Sequence, residues 1–192
     1  MFHDRRESPL VHSVHFYDHD SELIDRLRGI VITALATGNA VLIVASEDHR
    51  RELTASLHNN WTNWAAARDE GRLLLVDAQE TLSQFMVEGR PNRERFRDAV
   101  GNLIRECRFT ARSANRGLTA FGEMVAILWK EGNRQAALEL ESLWNELLSD
   151  RTFHLHCAYP KHAMTSAGDD LAFQSVCEHH SHIIGQPLLR AA

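Results

Sequence analysis

Lysine is nearly missing from this chain of 192 residues: Lys130 and Lys161 are the only two, and arginine carries the rest of the positive charge. That excludes the phosphate loop G-x-x-x-x-G-K-[ST], where glycines expose backbone N–H groups and a lysine neutralises the phosphates. GxGxxG is missing too, which leaves a dinucleotide reading unsupported. There is no GxSxG, no cysteine at a helix start with a base nearby in sequence, no HExxH and no zinc-ribbon spacing. Cysteine is scarce. Cys107, Cys157 and Cys177 are odd in number, far apart and without a CxxC, so they argue against a disulfide framework and for a reducing compartment. No apolar run approaches the roughly 20 residues a membrane span needs. The opening MFHDRRESPLVHSV has charges early and no apolar stretch, so no signal peptide is expected and the cytoplasm is the expected location. A net charge of −5 gives no reason to expect direct nucleic-acid binding.

What is present fits a globular domain. The chain is 44% hydrophobic and 24% charged, and its length suits one core, placed at residues 10–187 between a flexible segment 1–9 and a tail 188–192. HSVHFY (12–17) reads as a strand. In the next segment Leu23, Ile24, Leu27, Ile30, Val31, Ala34 and Leu35 recur at helical spacing, with Asp18 or Asp20 able to cap the start and Gly38 to end it. NAVLIVAS (39–46) is a continuous apolar run, as in a parallel strand buried on both faces. Ser46 then caps a helix with an acidic first turn. RLLLVDA (72–78), GLTAFG (117–122) and FHLHCAY (153–159) are further strands. Helices are expected over 79–89, over about 92–111 with Pro91 at its start, over about 123–131 and 133–149, and over 171–184. Strands alternating with helices predict an α/β fold: a mostly parallel central sheet of about five or more strands with helices on both faces. Segment 161–170 is the one hinge the sequence suggests.

In such a sheet ligands sit beyond the carboxyl ends of the strands. The residues there are Tyr17, Asp18 and His19, then Ser46, Glu47 and Asp48, then Asp77, Glu123 and Tyr159. The set is acidic and aromatic, with few cations to grip phosphate. Asp77 reads either as a Mg²⁺ ligand or as a helix N-cap. Glu123 follows a strand and Gly122 directly. It reads either as a carboxylate holding a ligand, water or metal, or as charge compensation at a helix start. Of twelve histidines, ten gather loosely at the two ends of the chain. His154 and His156 lie two apart on a strand and share a face, and a metal site with His180 would need the last helix to fold back. Other readings are solvent-facing or core histidines.

HSVHFY, GNAVLIVASEDHRREL, GRLLLVDAQETLSQFMVEGRPNRERF, LTAFGEMVAILWKEGNRQAALELESLWNELL, FHLHCAYP and VCEHHSHII occur in this order. Together they resemble the MEDS family, the sensory domain named for methanogens, methylotrophs and a dichloromethane-responsive regulator. The resemblance spans roughly residues 10 to 187. It implies a three-layer fold related to RecA/KaiC-type ATPases without the Walker A loop. It also implies a non-catalytic role in signal transduction and transcription regulation, often beside histidine-kinase, PAS or regulator modules, with small hydrocarbon derivatives as ligands. His12, Phe16 and Tyr17 match the family's opening motif. Glu47 falls where KaiC-like ATPases tend to keep an acid, and Gly122 and Glu123 fall near a Walker-B-like strand end. The candidate ligand-binding set is thus His12, Tyr17, Ser46, Glu47, Asp77, Glu123 and Tyr159. The expected partner is a small molecule, a signalling protein such as a histidine kinase or regulator, or both; a homo-oligomer stays open, since the sequence displays no seam. A residual nucleotide binder, with arginines such as Arg5, Arg6, Arg50 and Arg51 in place of the lysine, is the first alternative. A metal-dependent sensor or metalloenzyme built on the histidines is the second.

Overall fold

The computed structural model describes residues 11–113, 117–150, 153–164 and 170–185, without the side chains of residues 150 and 170. The segments 1–9 and 188–192, the arginines at 5 and 6 and most of the loop 166–170 lie outside it.

The strand expected at 12–17 is β1 (His12–Tyr17). It leads through two residues into α1 (Asp20–Ala36), then β2 (Ala40–Ala45), α2 (Glu47–Asn60), α3 (Trp64–Asp69) and β3 (Leu73–Asp77). There follow α4 (Ala78–Phe85), a small hairpin β4 (Met86–Val87) and β5 (Arg90–Pro91), α5 (Arg93–Phe109), β6 (Leu118–Gly122), α6 (Met124–Lys130) and α7 (Arg134–Asp150). β7 (His154–Pro160), a 3-10 turn (Lys161–Met164), α8 (Asp170–Glu178) and β8 (His182–Ile184) complete it. Six strands form one sheet in the order β3-β2-β6-β7-β1-β8, with every neighbouring pair parallel. The α/β architecture with a parallel sheet is therefore as the alternation predicts.

The pleat explains the layers. Alternate strand residues point to opposite faces, and each face needs cover. Tyr17, Val41 and Ile43 pack with Leu23, Leu27 and Val31 of α1, Leu53 and Leu57 of α2 and Ala67 of α3. Val14, Phe16, Leu42, Val44, Leu155 and Tyr159 pack on the other face with α4, α5, α6, α7 and α8. All six residues of β2 are buried, which is why that segment carries no polar position at all.

Several details depart from the sequence reading: the helix expected over 79–89 ends at Phe85, where the β4–β5 hairpin begins, and α3 is not among the expected helices. His19 takes the N-cap position of α1 without a side-chain bond, and Asp20 sits in the first turn instead. Pro91 belongs to β5 opposite Met86, so Asn92 caps α5 by accepting a hydrogen bond from the Arg95 N–H. The last helix stops early, because the rings of His179 and His180 take the carbonyls of Ser175 and Val176. The chain then runs on as β8 beside β1, with Ser13 opposite His182. Gly38 does follow α1 as expected. Its φ of +81° is left-handed, and its carbonyl accepts the N–H groups of Arg112 and Ser113 at 2.8 Å each.

Candidate functional site

Two buried polar clusters stand out, one on each face of the sheet. The first lies at the carboxyl ends of the strands. Glu123 follows β6 directly, and its N–H bonds the Val44 carbonyl at 2.9 Å, which locks it against the end of β2. It holds the N-cap position of α6, yet its side chain makes no cap bond to that helix. One carboxylate oxygen instead accepts the Ser46 N–H at 2.9 Å, and the other lies 2.9 Å from His49 Nδ1. That approach is bent, so Nδ1 lacks an aligned hydrogen bond and the pair is held mainly by charge. His49 Nε2 lies 3.4 Å from Asp20, at the start of α1. Tyr17 packs its ring at 6.5 Å from the His49 ring, and its hydroxyl is buried without a protein partner.

Glu123 is only 2% exposed. Burial alone would push its carboxyl up, but the close approach and charge of His49 and the Ser46 N–H outweigh that and leave it below the usual carboxylate range. Burial likewise opposes the His49 charge, and contact with Glu123 and Asp20 overturns it, so the imidazole is raised above its ordinary value. The two shifts describe one ion pair. Burial raises the Tyr17 phenol further still, with the Glu123 and Asp20 charges adding to it, so it remains a donor.

The second cluster lies on the opposite face, between β1, β7, α7 and α8. Glu141 of α7 is wholly buried. Its Oε1 accepts the Tyr159 hydroxyl at 2.8 Å. Its Oε2 lies 3.5 Å from His12 Nε2, 3.5 Å from His180 Nε2 and 3.7 Å from Cys157 Sγ. Sγ is in turn 3.5 Å from His12 Nε2. Burial opposes charge on each member. Burial lowers His180 to about 4 and His12 below its ordinary value, while it raises Glu141 and Cys157. His12, Glu141, Cys157 and His180 are also the described residues whose donor atoms converge closely enough to hold a metal ion.

The sequence-predicted residues divide between these places. Tyr17, Ser46 and Glu123 meet at the carboxyl edge, joined by His49 and Asp20. His12 starts its strand and Tyr159 points to α7, so both belong to the second cluster. Glu47 is exposed in the first turn of α2. Asp77 caps α4 through the Glu80 N–H at 2.8 Å and pairs with Arg50 at 2.7 Å. Arg51 is paired with Asp48. His154 and His156 share a face as predicted, but it is the α1 face, where they line an open groove of about 560 Å³ with Asp25, Arg26 and Thr119. The sheet separates them from His180. This groove sits at the amino ends of β6 and β7, away from the Glu123 cluster.

His49, Glu141 and Cys157 were missed by sequence reasoning. Glu141 did leave a signal: it interrupts the apolar stripe of α7 between Ala137 and Trp144. The connections from β1, β2, β3 and β6 to the helices that follow them are two residues or fewer, too short to wrap a phosphate group. No described helix is long and apolar enough to cross a membrane. Among curated proteins, none matches the chain significantly. Residues 11–180, nearly the whole described chain, do match one family, the MEthanogen/methylotroph, DcmR Sensory domain. The chain therefore belongs to the MEDS family of sensory domains.

Proposed function

We propose that this chain is a non-catalytic sensory domain of a signal-transduction system, binding a small molecule at the carboxyl edge of its sheet and passing the result to a protein partner such as a histidine kinase or regulator. The observation that carries the proposal is the buried His49–Glu123 pair beneath a Tyr17 hydroxyl with no protein partner. A buried donor of this kind is costly unless something accepts from it. Tyr17 and Glu123 are almost closed off, at 1% and 2% exposure, so the ligand is small, in keeping with a simple hydrocarbon derivative carrying one polar atom. Among the described residues nothing opposite Glu123 resembles an activated nucleophile. Arg50 and Arg51 are committed to carboxylates rather than offered to a phosphate. The short connections after β1, β2, β3 and β6 count further against a RecA/KaiC-like nucleotide site.

Thermal-shift measurements test the proposal. The purified protein is screened against one-carbon halogenated and methylated compounds, small organic acids, and ATP with Mg²⁺. A small organic ligand raises the melting temperature, and Tyr17→Phe abolishes that rise while the variant itself still melts cooperatively. Stabilisation by ATP with Mg²⁺ and by nothing smaller would replace this reading with the nucleotide-binding one. A ligand whose effect survives both Tyr17→Phe and Glu123→Gln would place the site elsewhere.

A further inference from the structure

We propose that His12, Glu141, Cys157 and His180 bind one divalent transition-metal ion of the zinc class, in a closed four-coordinate site. The proposal is independent of the ligand site at the carboxyl edge.

The first argument is where the lone pairs point. His12 Nδ1 lies 2.9 Å from Asn145 Oδ1, and Asn145 is oriented by its own Nδ2 bond to the His179 carbonyl at 3.1 Å. An oxygen faces the ring there, so Nδ1 carries the proton and Nε2 the lone pair. His180 Nδ1 lies 2.6 Å from the Val176 carbonyl, which fixes the same tautomer. Both Nε2 atoms, the Glu141 Oε2 and the Cys157 sulfur then converge, all within 4.8 Å of one another. His180 Nε2 is fully buried and has no hydrogen-bond partner. Two imidazoles, each with its outer nitrogen anchored to a carbonyl oxygen, are the usual support for metal-bound histidine.

The second argument is spacing. A tetrahedral ion with nitrogen and oxygen ligands at about 2.0–2.1 Å and sulfur at about 2.3 Å sets its ligand atoms roughly 3.3–3.6 Å apart. Four separations in this cluster are 3.5, 3.5, 3.5 and 3.7 Å. A direct hydrogen bond between such nitrogen and oxygen atoms would draw them to about 2.9 Å. Tyr159 holds Oε1 of Glu141, which leaves Oε2 as a single donor.

The third argument is charge and donor type. Binding expels the Cys157 thiol proton and any proton on Glu141 to solvent, so a thiolate and a carboxylate meet a 2+ ion and the buried site is neutral. Thiolate and imidazole select zinc, cobalt or iron over magnesium and calcium. Four protein ligands leave no open position, so the ion ties β1, α7, β7 and the end of α8 together rather than activating water.

The experiment uses the full chain made without a histidine tag, stripped with chelator and refolded from urea with Co²⁺ or Zn²⁺. One ion per chain is expected, with the visible absorption of tetrahedral Co²⁺ and a sulfur-to-cobalt charge-transfer band. Saturating zinc raises the melting temperature by about 8–16 °C, the shift expected at a thousand times Kd for a chain of this size. Cys157→Ser loses the charge-transfer band, His180→Gln loses stoichiometric binding, and His154→Gln with His156→Gln keeps both. Less than about a tenth of an ion per refolded wild-type chain would overturn the proposal, and wild-type loading needs no variant to fold. So would a charge-transfer band that survives Cys157→Ser or is lost with His154 and His156.

Discussion

Replacing Glu123 by Gln removes the charge that keeps His49 protonated while preserving an oxygen for the Ser46 N–H. The cost depends on pH, and the direction follows from the two shifts. His49 stands above its ordinary 6.5 in the fold, so its contribution is complete below that value and is lost as pH rises through the folded one. Glu123 stands below its ordinary 4.5, so its contribution is present above 4.5 and is lost as pH falls through the folded value. The pair is therefore worth most between about pH 4.5 and 6.5. At pH 8 the variant can bury a neutral imidazole and loses one charge-assisted contact, about 1.5 kcal/mol. At pH 5.5 it must bury an imidazolium without its main counter-charge, or deprotonate it at a cost, and the loss grows to about 3 kcal/mol. For a chain of this length each kcal/mol is about 2–4 °C in Tm. The variant should thus melt roughly 3–6 °C below wild type at pH 8 and roughly 6–12 °C below at pH 5.5. Urea unfolding followed by the fluorescence of the four tryptophans gives the same comparison as free energies. Equal losses at both pH values, or a loss under about 0.5 kcal/mol at pH 5.5, would show that the buried pair does not form as described.

Two further substitutions test local features. Asp77→Ala removes both the cap on α4 and the Arg50 contact and should cost about 1–2 kcal/mol, whereas Asp77→Asn keeps the cap and should cost less than about 1 kcal/mol, both read from urea midpoints. Gly38→Ala forces a side chain onto a φ of +81° and brings its Cβ to 3.1 Å from the Ser113 nitrogen; a loss of about 1–2 kcal/mol is expected, and an unchanged midpoint would contradict that backbone conformation.

The layered fold was legible because β2 and β6 are buried runs with little polar interruption and α1 and α7 carry long apolar stripes. What escaped was short or extrinsic. α3 has six residues and β8 three, too few for a periodicity to show, and β8 is a strand only because β1 offers it an edge. At the carboxyl edge, strand–Gly–Glu–helix pointed to Glu123, but its partner His49 lies on another helix far away in sequence. The second cluster was harder. His12 and Cys157 are 145 positions apart, and only the order of strands in the sheet makes them neighbours. Glu141 shows how such sites can be sought: an acid inside an otherwise apolar helical stripe must find buried partners or be selected against.

The position of β1 has a kinetic consequence. The first strand in the sequence is flanked by β7 and β8, two of the last. Ser13 waits for His156, 143 positions later, and for His182 beyond it. At a synthesis rate of about 5–20 residues per second, β1 emerges roughly 7–30 s before its first neighbour exists. Through that interval a strand that is buried in the finished fold has both edges open, the state most prone to pair with another chain. Closing so long a loop is also slow once synthesis is complete. Refolding should therefore end with the capture of β1, and the yield of soluble protein should depend on chain concentration far more than on the stability of the finished fold.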